Sequence, residues 1–428
     1  MTERTEDGAQ VSAKPQCLRL NSDAAGPATF SSPLPASVLN IETKSRSNLF
    51  PWRGQFSPQL VEALLRAYAA PGSVVLDPFM GSGTVLVESA RLGLPAYGYE
   101  VNPAAYILAR VYELCSLTTD ERLELLQQAE TVLTRLRPAA FEFALFRTAS
   151  TDTQPPGNGS DWVGETPDPR VRMLFEALVV LLDGNAAPDH SYASKWSAIR
   201  EIVAGLPFSE APVHAALGDA RAMSLPDRTI DFVLSSPPYI NVFNYHHNSR
   251  TGVESLGWNP LVVARSEIGS NRKFRQNRFL TVVQYCIDMA LALAELRRVC
   301  KESARILLIL GRESNVHKTA FYNSQIVERL ASEVVGFRLH RKQERVFTNR
   351  FGQSIYEDLL HLSPQPGYSR PKEEMVECAR RLGRDILSEA LHRTPSDRRR
   401  YLRDAIAEAG RVEASPILEP AKAIRGAL

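Results

Sequence analysis

The 428-residue chain has only five cysteines, Cys17, Cys115, Cys286, Cys300 and Cys378. They lie far apart, form no C-x-x-C pair and have no histidine at zinc-ligand spacing. Neither a disulfide framework nor a metal site is therefore expected, and they read as reduced thiols of a cytoplasmic protein. Charge of one sign is not in excess either: 50 Lys and Arg face 48 Asp and Glu, a formal charge of +2. Contact with a polyanion would have to come from local clustering. Residues 1–40 mix charge, Gly, Ala, Ser and Pro without an apolar segment, which argues against a signal peptide or membrane anchor there and predicts a flexible leader. There is no internal repeat. What remains is an ordinary globular composition, 44% hydrophobic, in a chain long enough to bury a sizeable core.

From Phe56 the sequence becomes periodic. Leu60, Leu64, Leu65 and Tyr68 share one helical face, and Pro71-Gly72 breaks that helix before a strand at Ser73–Leu76. A glycine turn follows, then a helix carrying Val85, Leu86, Ala90 and Leu92, then a strand at Ala96–Val101. This is a βαβ unit, whose right-handed crossover makes the two strands parallel. Between 117 and 212 the strand pattern stops and helical text takes over, predicting a mostly helical insertion with a possible role in target recognition. Strands return at Ala215–Asp219, Ile230–Leu234 and Arg305–Leu310, with a helix at Val282–Val299 and a last strand pair near 337–347 and 355–362. The expected fold is α/β: a doubly wound, mostly parallel, seven-stranded Rossmann-like sheet ending in an antiparallel hairpin. Its catalytic domain would comprise 41–116 and 213–363, and 364–428 would be a charged helical tail.

Two segments carry chemistry. Asp77-Pro78-Phe79-Met80-Gly81-Ser82-Gly83-Thr84 follows the first strand, where Gly81 and Gly83 let backbone N–H groups approach a ligand at a helix start. The turn departs from G-x-G-x-x-G, and no lysine follows Gly83, so neither a dinucleotide nor a triphosphate is indicated. Glu100, at the end of the second strand, stands where a ribose diol would lie. The second segment, Ser235-Ser236-Pro237-Pro238-Tyr239, ends an apolar strand. Its prolines leave carbonyls that no ladder uses, between a hydroxyl and an aromatic ring, and such a site can hold an amino group and stack on a flat ring.

Together these segments resemble the S-adenosylmethionine-dependent DNA amino-methyltransferases, and the serine before Pro-Pro-Tyr resembles their cytosine-N4 branch. The resemblance spans Phe50–Asn102 and His214–Leu362. It implies S-adenosyl-L-methionine as cofactor, held by Phe56, Asp77, Pro78, Phe79, Gly81, Gly83, Thr84, Glu100, Asn102, Asp219 and Ala220. Within that set Glu100 would bind the ribose and the Asp219 carboxylate would meet the adenine amino group. Ser236, Pro237, Pro238 and Tyr239 would be catalytic, the hydroxyl and the Pro237 carbonyl accepting from the target amine and Tyr239 stacking on a flipped-out base. Adenine-N6 is the alternative target. The acceptor would be duplex DNA with a short specific sequence, in a prokaryotic cytoplasm beside a restriction endonuclease or another defence partner.

Beyond Tyr239 the sequence is rich in amides and cations. Asn241, Tyr245, Arg250, Arg272, Lys273, Arg275 and Arg278 are candidate DNA contacts, suited to phosphates and base edges. His246 and His247 read as surface or DNA-contact residues rather than metal ligands. Two rival readings stand beside this one: an RNA or protein amino-methyltransferase on the same sheet, and a nucleic-acid-binding module without catalysis.

Overall fold

The computed structural model describes residues 30, 32–41, 45–52, 54–136, 163, 166, 168–183, 192–240, 249–270, 274–349 and 352–424. Its centre is a seven-stranded sheet formed by β1 (Val75–Asp77), β2 (Ala96–Glu100), β3 (Val213–Leu217), β4 (Ile230–Ser235), β5 (Cys300–Gly311), β8 (Phe337–Thr348) and β9 (Ser354–Pro364). The strand order is β3-β2-β1-β4-β5-β9-β8. The first five strands run parallel, while β9 is antiparallel to both β5 and β8. The doubly wound sheet with its closing hairpin is thus the fold the sequence predicts. A separate two-stranded ribbon, β6 (Ser314–Val316) with β7 (Thr319–Phe321), was not foreseen.

Parallel strands buried on both faces read as continuous apolar runs. In β5, Leu307 and Ile309 belong to one buried cluster, and Leu308 and Leu310 to the other. The first face is covered by the helices Pro58–Tyr68, Thr84–Arg91 and Pro103–Arg110. Leu125 and Ala129 of Thr119–Leu136, Leu174 and Leu178 of Pro169–Asp183, and Trp196 of Tyr192–Ala204 join the same cluster. The described helices of the insertion therefore pack into the same core as this face of the sheet. The second face is covered by Leu280–Val299, which is buried almost all round, and by Lys372–Glu389.

The sheet order reverses between β1 and β4, and at such a switch point the carboxyl ends of the strands leave a crevice for a ligand. Asp77, Glu100 and Ser235 end β1, β2 and β4 at this rim. On the other edge, β8 is flanked by residues expected to be a flexible leader. The Asn40 side-chain oxygen accepts the Val346 N–H at 2.7 Å, and Gln343 donates to the Leu34 carbonyl at 2.6 Å. The stretch 32–41 is thus packed, a correction that follows from the open hydrogen-bonding groups of an edge strand. Among the described residues no helix is long and apolar enough to cross a membrane.

Candidate active site

The crevice at the switch point is a cavity of about 160 Å³ lined by residues from both chemical segments. Its floor is the turn after β1. Gly83 has φ +86°, a left-handed conformation that favours glycine, and a Cβ there would lie 2.9 Å from the Tyr112 ring. Gly83 does not itself line the cavity; it shapes the turn, while Asp77, Pro78, Phe79, Gly81 and Thr84 face the space. The stretch before the first helix closes over this turn. Gln55 donates to the Ser82 hydroxyl and to the Phe50 carbonyl, and Asn48 donates to Thr84 Oγ1 at 2.9 Å and to the Phe56 carbonyl at 2.8 Å. Trp52 and Phe56 thereby join the lining.

Glu100 lines the cavity with its carboxylate oriented by two backbone N–H groups, Gly81 to Oε2 at 2.9 Å and Asn102 to Oε1 at 2.8 Å. Asn102 also lines the space, while its Oδ1 caps the helix Pro103–Arg110 by accepting from Ala104 and Ala105. Asp77 is buried. It accepts from the Ser235 hydroxyl at 2.6 Å and the Phe79 N–H at 3.1 Å. Burial pushes its carboxyl up to about 7; those two donors oppose the shift and the nearby Glu100 charge adds to it.

Asp219 and Ala220 line the same cavity, but the Asp219 carboxylate departs from its expected role. Oδ1 accepts from the Arg221 backbone N–H at 3.0 Å and from Arg221 Nε at 2.8 Å. Oδ2 accepts from Arg221 Nη2 at 2.6 Å and from the Leu418 N–H at 3.0 Å. With four donors in place, its acceptor positions are filled and none is left for an adenine amino group.

The acceptor end faces the turn across the same space, with Ser236, Pro238 and Tyr239 in the lining and Pro237 buried beside them. Side chains that sequence reasoning missed hold this segment in place. The Tyr285 hydroxyl donates to the Pro238 carbonyl at 3.0 Å, and buried Asn323 accepts the Ile240 N–H at 3.2 Å while donating to the Gly311 carbonyl at 3.2 Å. The Tyr239 ring lies against Gly311, where a Cβ would come within 2.8 Å of its Cε2. The Tyr239 carbonyl lies against Gly269, in a loop whose Ser266, Glu267, Ile268 and Ser270 also line the cavity. Of these, only Ser235, adjacent to the recognised motif, had a signal in the sequence; Tyr285, Asn323, Gly311 and the loop come from distant elements.

Of the candidate DNA contacts, Asn241, Tyr245, Arg272 and Lys273 lie outside the described residues, as do His246 and His247. Arg275 is exposed and Arg278 half-buried, a few residues past Ser270 of the lining. Arg250 pairs with Glu254 at 2.9 Å within one short helix, away from this segment in sequence.

Residues 28–110, which hold the closing loop, the glycine turn and Glu100, match the profile of the family described as DNA methylase, of N6 and N4 type. Over that stretch the chain is similar to the N6/N4 DNA methylase family. It is similar to the type II methyltransferase M.MjaII of Methanocaldococcus jannaschii, with 39% identity over 69 residues, 16% of this chain and 13% of that protein. It is similar to the type II methyltransferase M.BsoBI of Geobacillus stearothermophilus, with 23% identity over 275 residues, 50% of this chain and 53% of that protein. A third similarity is to a tRNA (guanine(6)-N2)-methyltransferase of Thermus thermophilus, 37% identical over 118 residues, 26% of this chain and 33% of that protein. The chain thus spans about half or less of the length of these relatives. The residues of the cavity fit S-adenosylmethionine, the cofactor that the sequence resemblance implies: a paired pocket acid for a diol, a buried carboxyl for a cation, and an aromatic and apolar wall.

Proposed function

We propose that this protein transfers a methyl group from S-adenosylmethionine to the exocyclic N4 amine of a cytosine flipped out of duplex DNA. The observation that carries the reading is the meeting of Ser236, Pro238 and Tyr239 with the glycine turn and Glu100 in one cavity. Bound S-adenosylmethionine supplies an electrophilic methyl on a sulfonium that leaves as a neutral thioether. The chain's task is then to hold an amine whose lone pair is delocalised into its ring. The Ser236 hydroxyl and the Pro237 carbonyl accept the amine's N–H groups and favour a pyramidal nitrogen with its lone pair free. Tyr239 offers the face on which the extruded base stacks. The new N–C bond makes the nitrogen cationic, and the proton it then loses passes by these acceptors to water.

DNA would approach over the segment that leaves the lining at Ser270. Asn277 Nδ2 donates to the Tyr401 carbonyl at 2.7 Å, so the helix Arg399–Glu408, which opens with Arg399 and Arg400, lies beside Arg275 and Arg278. Reversing Arg275 and Arg278 to Glu is expected to lower the slope of log affinity against log salt by about two, at about 0.9 per lost phosphate contact. A slope equal to the wild type's would put the DNA on another face. The reading places the protein in a prokaryotic cytoplasm, with a cognate endonuclease or other defence partner.

The test is to incubate the protein with methyl-labelled S-adenosylmethionine and mixed-sequence duplex DNA, digest to nucleosides and identify the labelled product by mass. N4-methylcytosine is expected; N6-methyladenine would keep the enzyme and reject the cytosine branch. The similarity to a tRNA methyltransferase favours one second reading, an exocyclic amine of RNA. Label in RNA and none in DNA would establish it, and DNA binding with no label in either would leave a binding module.

A further inference from the structure

The far end of the described chain folds back onto residues that line the cofactor cavity. Ser415 donates its N–H and hydroxyl to the two oxygens of Asp288 at 2.8 and 2.7 Å, and the Leu418 N–H reaches Asp219, 199 residues away in sequence, at 3.0 Å. Between the two acids lies Arg221, its side chain fully buried. Besides its fork onto Asp219, it donates to Asp288 Oδ1 at 2.7 Å and to the carbonyls of Ser415 at 2.9 Å, Pro416 at 2.9 Å and Ser266 at 3.0 Å. The strap continues beyond this point: the Ala423 carbonyl accepts the Asn259 N–H at 2.7 Å. Leu418 and Ala423 are buried with Val263, and Val101, which lines the cavity next to Glu100, packs on that cluster.

A buried cluster of one cation and two acids is a poor device for stability alone, because apolar side chains of the same volume often serve as well. What it does that apolar groups cannot is fix four separate chain segments to one point by directed bonds. Those segments are the end of β3 with Asp219, the cavity loop that starts at Ser266, the helix Leu280–Val299 with Asp288, and the strap. The loop in turn presses Gly269 on the Tyr239 carbonyl, which a Cβ at that glycine would approach to 2.4 Å.

We infer that residues 412–424 brace the adenosyl end of the cofactor pocket from behind its lining, and that Arg221 is the positioning residue that sets the Ser266–Ser270 loop, and through it Tyr239, against that brace. The inference rests on the cofactor reading above. It also gives Asp219 its part: the carboxylate anchors the brace, and the adenine meets the lining that the brace supports.

The full-length chain carrying Arg221→Lys or Ser415→Ala tests this, with affinity measured for S-adenosylmethionine and for methylthioadenosine, which carries the adenosyl end without the amino acid. Lysine keeps a charge but loses the fork onto Asp219 and the bonds to the three carbonyls, and alanine removes one hydroxyl bond to a carboxylate. Affinity for both ligands is expected to fall about tenfold in Arg221→Lys and about threefold in Ser415→Ala, by equal factors for the two ligands. In Arg221→Lys, kcat at saturating cofactor should fall as well. Melting of the cofactor-free variants separates fold from site: variants that melt lower yet bind both ligands as the wild type does would overturn the inference and leave the cofactor reading intact. A wild-type protein that binds neither ligand would overturn both.

Discussion

Asp77→Asn makes S-adenosylmethionine affinity insensitive to pH between about 6 and 8, where the wild type binds more tightly as pH rises. Burial pushes the Asp77 carboxyl up to about 7 in the cofactor-free protein, with the Glu100 charge adding to the shift and the Ser235 hydroxyl and Phe79 N–H opposing it. A ligand carrying a sulfonium and an ammonium favours the ionised form, so binding near neutral pH expels up to one proton. Wild-type affinity therefore climbs through the titration and levels off above it, while asparagine holds no proton to expel. At pH 8 the loss in Asp77→Asn should be about a hundredfold, the scale of a charge-assisted interaction in a desolvated site. Stability moves the other way. The folded carboxyl binds its proton at about 7 against 3.8 for the ordinary group, so the stabilisation it gives the cofactor-free protein is present below pH 4 and lost as pH rises through 7. Cofactor-free Asp77→Asn should accordingly hold its melting temperature between pH 5 and 8 where the wild type's falls. Calorimetry in buffers of different ionisation enthalpy counts the released proton, and an unchanged count in Asp77→Asn would assign it to another group.

The second large effect lies at the acceptor end. Tyr239→Ala should lower turnover by about 5- to 150-fold with cofactor affinity unchanged, since base stacking on an aromatic ring is worth about 1–3 kcal/mol. Gly311→Ala offers a subtler route to the same place. Its new methyl would meet the Tyr239 ring at 2.8 Å, and Gly311 has no left-handed backbone to strain, so the ring must move while the strand stays. Turnover is expected to fall with the melting temperature nearly kept. Gly269→Ala should do more harm, because that glycine has φ +77° and its Cβ would strike the Tyr239 carbonyl at 2.4 Å. Single-turnover methylation separates these cases, and a wild-type rate in Tyr239→Ala would remove the ring from the acceptor site.

What could be read in advance follows from the range of the interactions. β1, β4 and the closing hairpin are legible because each is an apolar or alternating run ended by local turn chemistry, and the glycine turn and Glu100 are legible because their geometry is set within one βαβ unit. The ends of β5 were less so: it begins at Cys300, through a polar stretch whose pairing with Ile230 no periodicity announces. β6 and β7, three residues each, are too short to carry a pattern. Asp219 illustrates the limit most clearly. Its place in the crevice was visible from strand end and spacing, but the state of its carboxylate depends on Arg221 and on an N–H contributed by Leu418. Filling by a remote segment leaves no local trace. The same holds for Tyr285 and Asn323, which in sequence are merely polar residues in helical text.

The cover over β8 has a practical consequence. That strand is twelve residues long and is the last of its sheet, with Arg338, His340, Lys342 and Glu344 exposed along one face. Charged side chains along that face discourage a neighbouring chain from adding itself there, and Asn40 occupies the Val346 N–H. A shortened chain beginning after residue 41 would keep every group of the cofactor crevice and yet offer that bond to another molecule. Removing the stretch that looks most disposable for crystallisation or expression is therefore expected to open an edge strand to self-association.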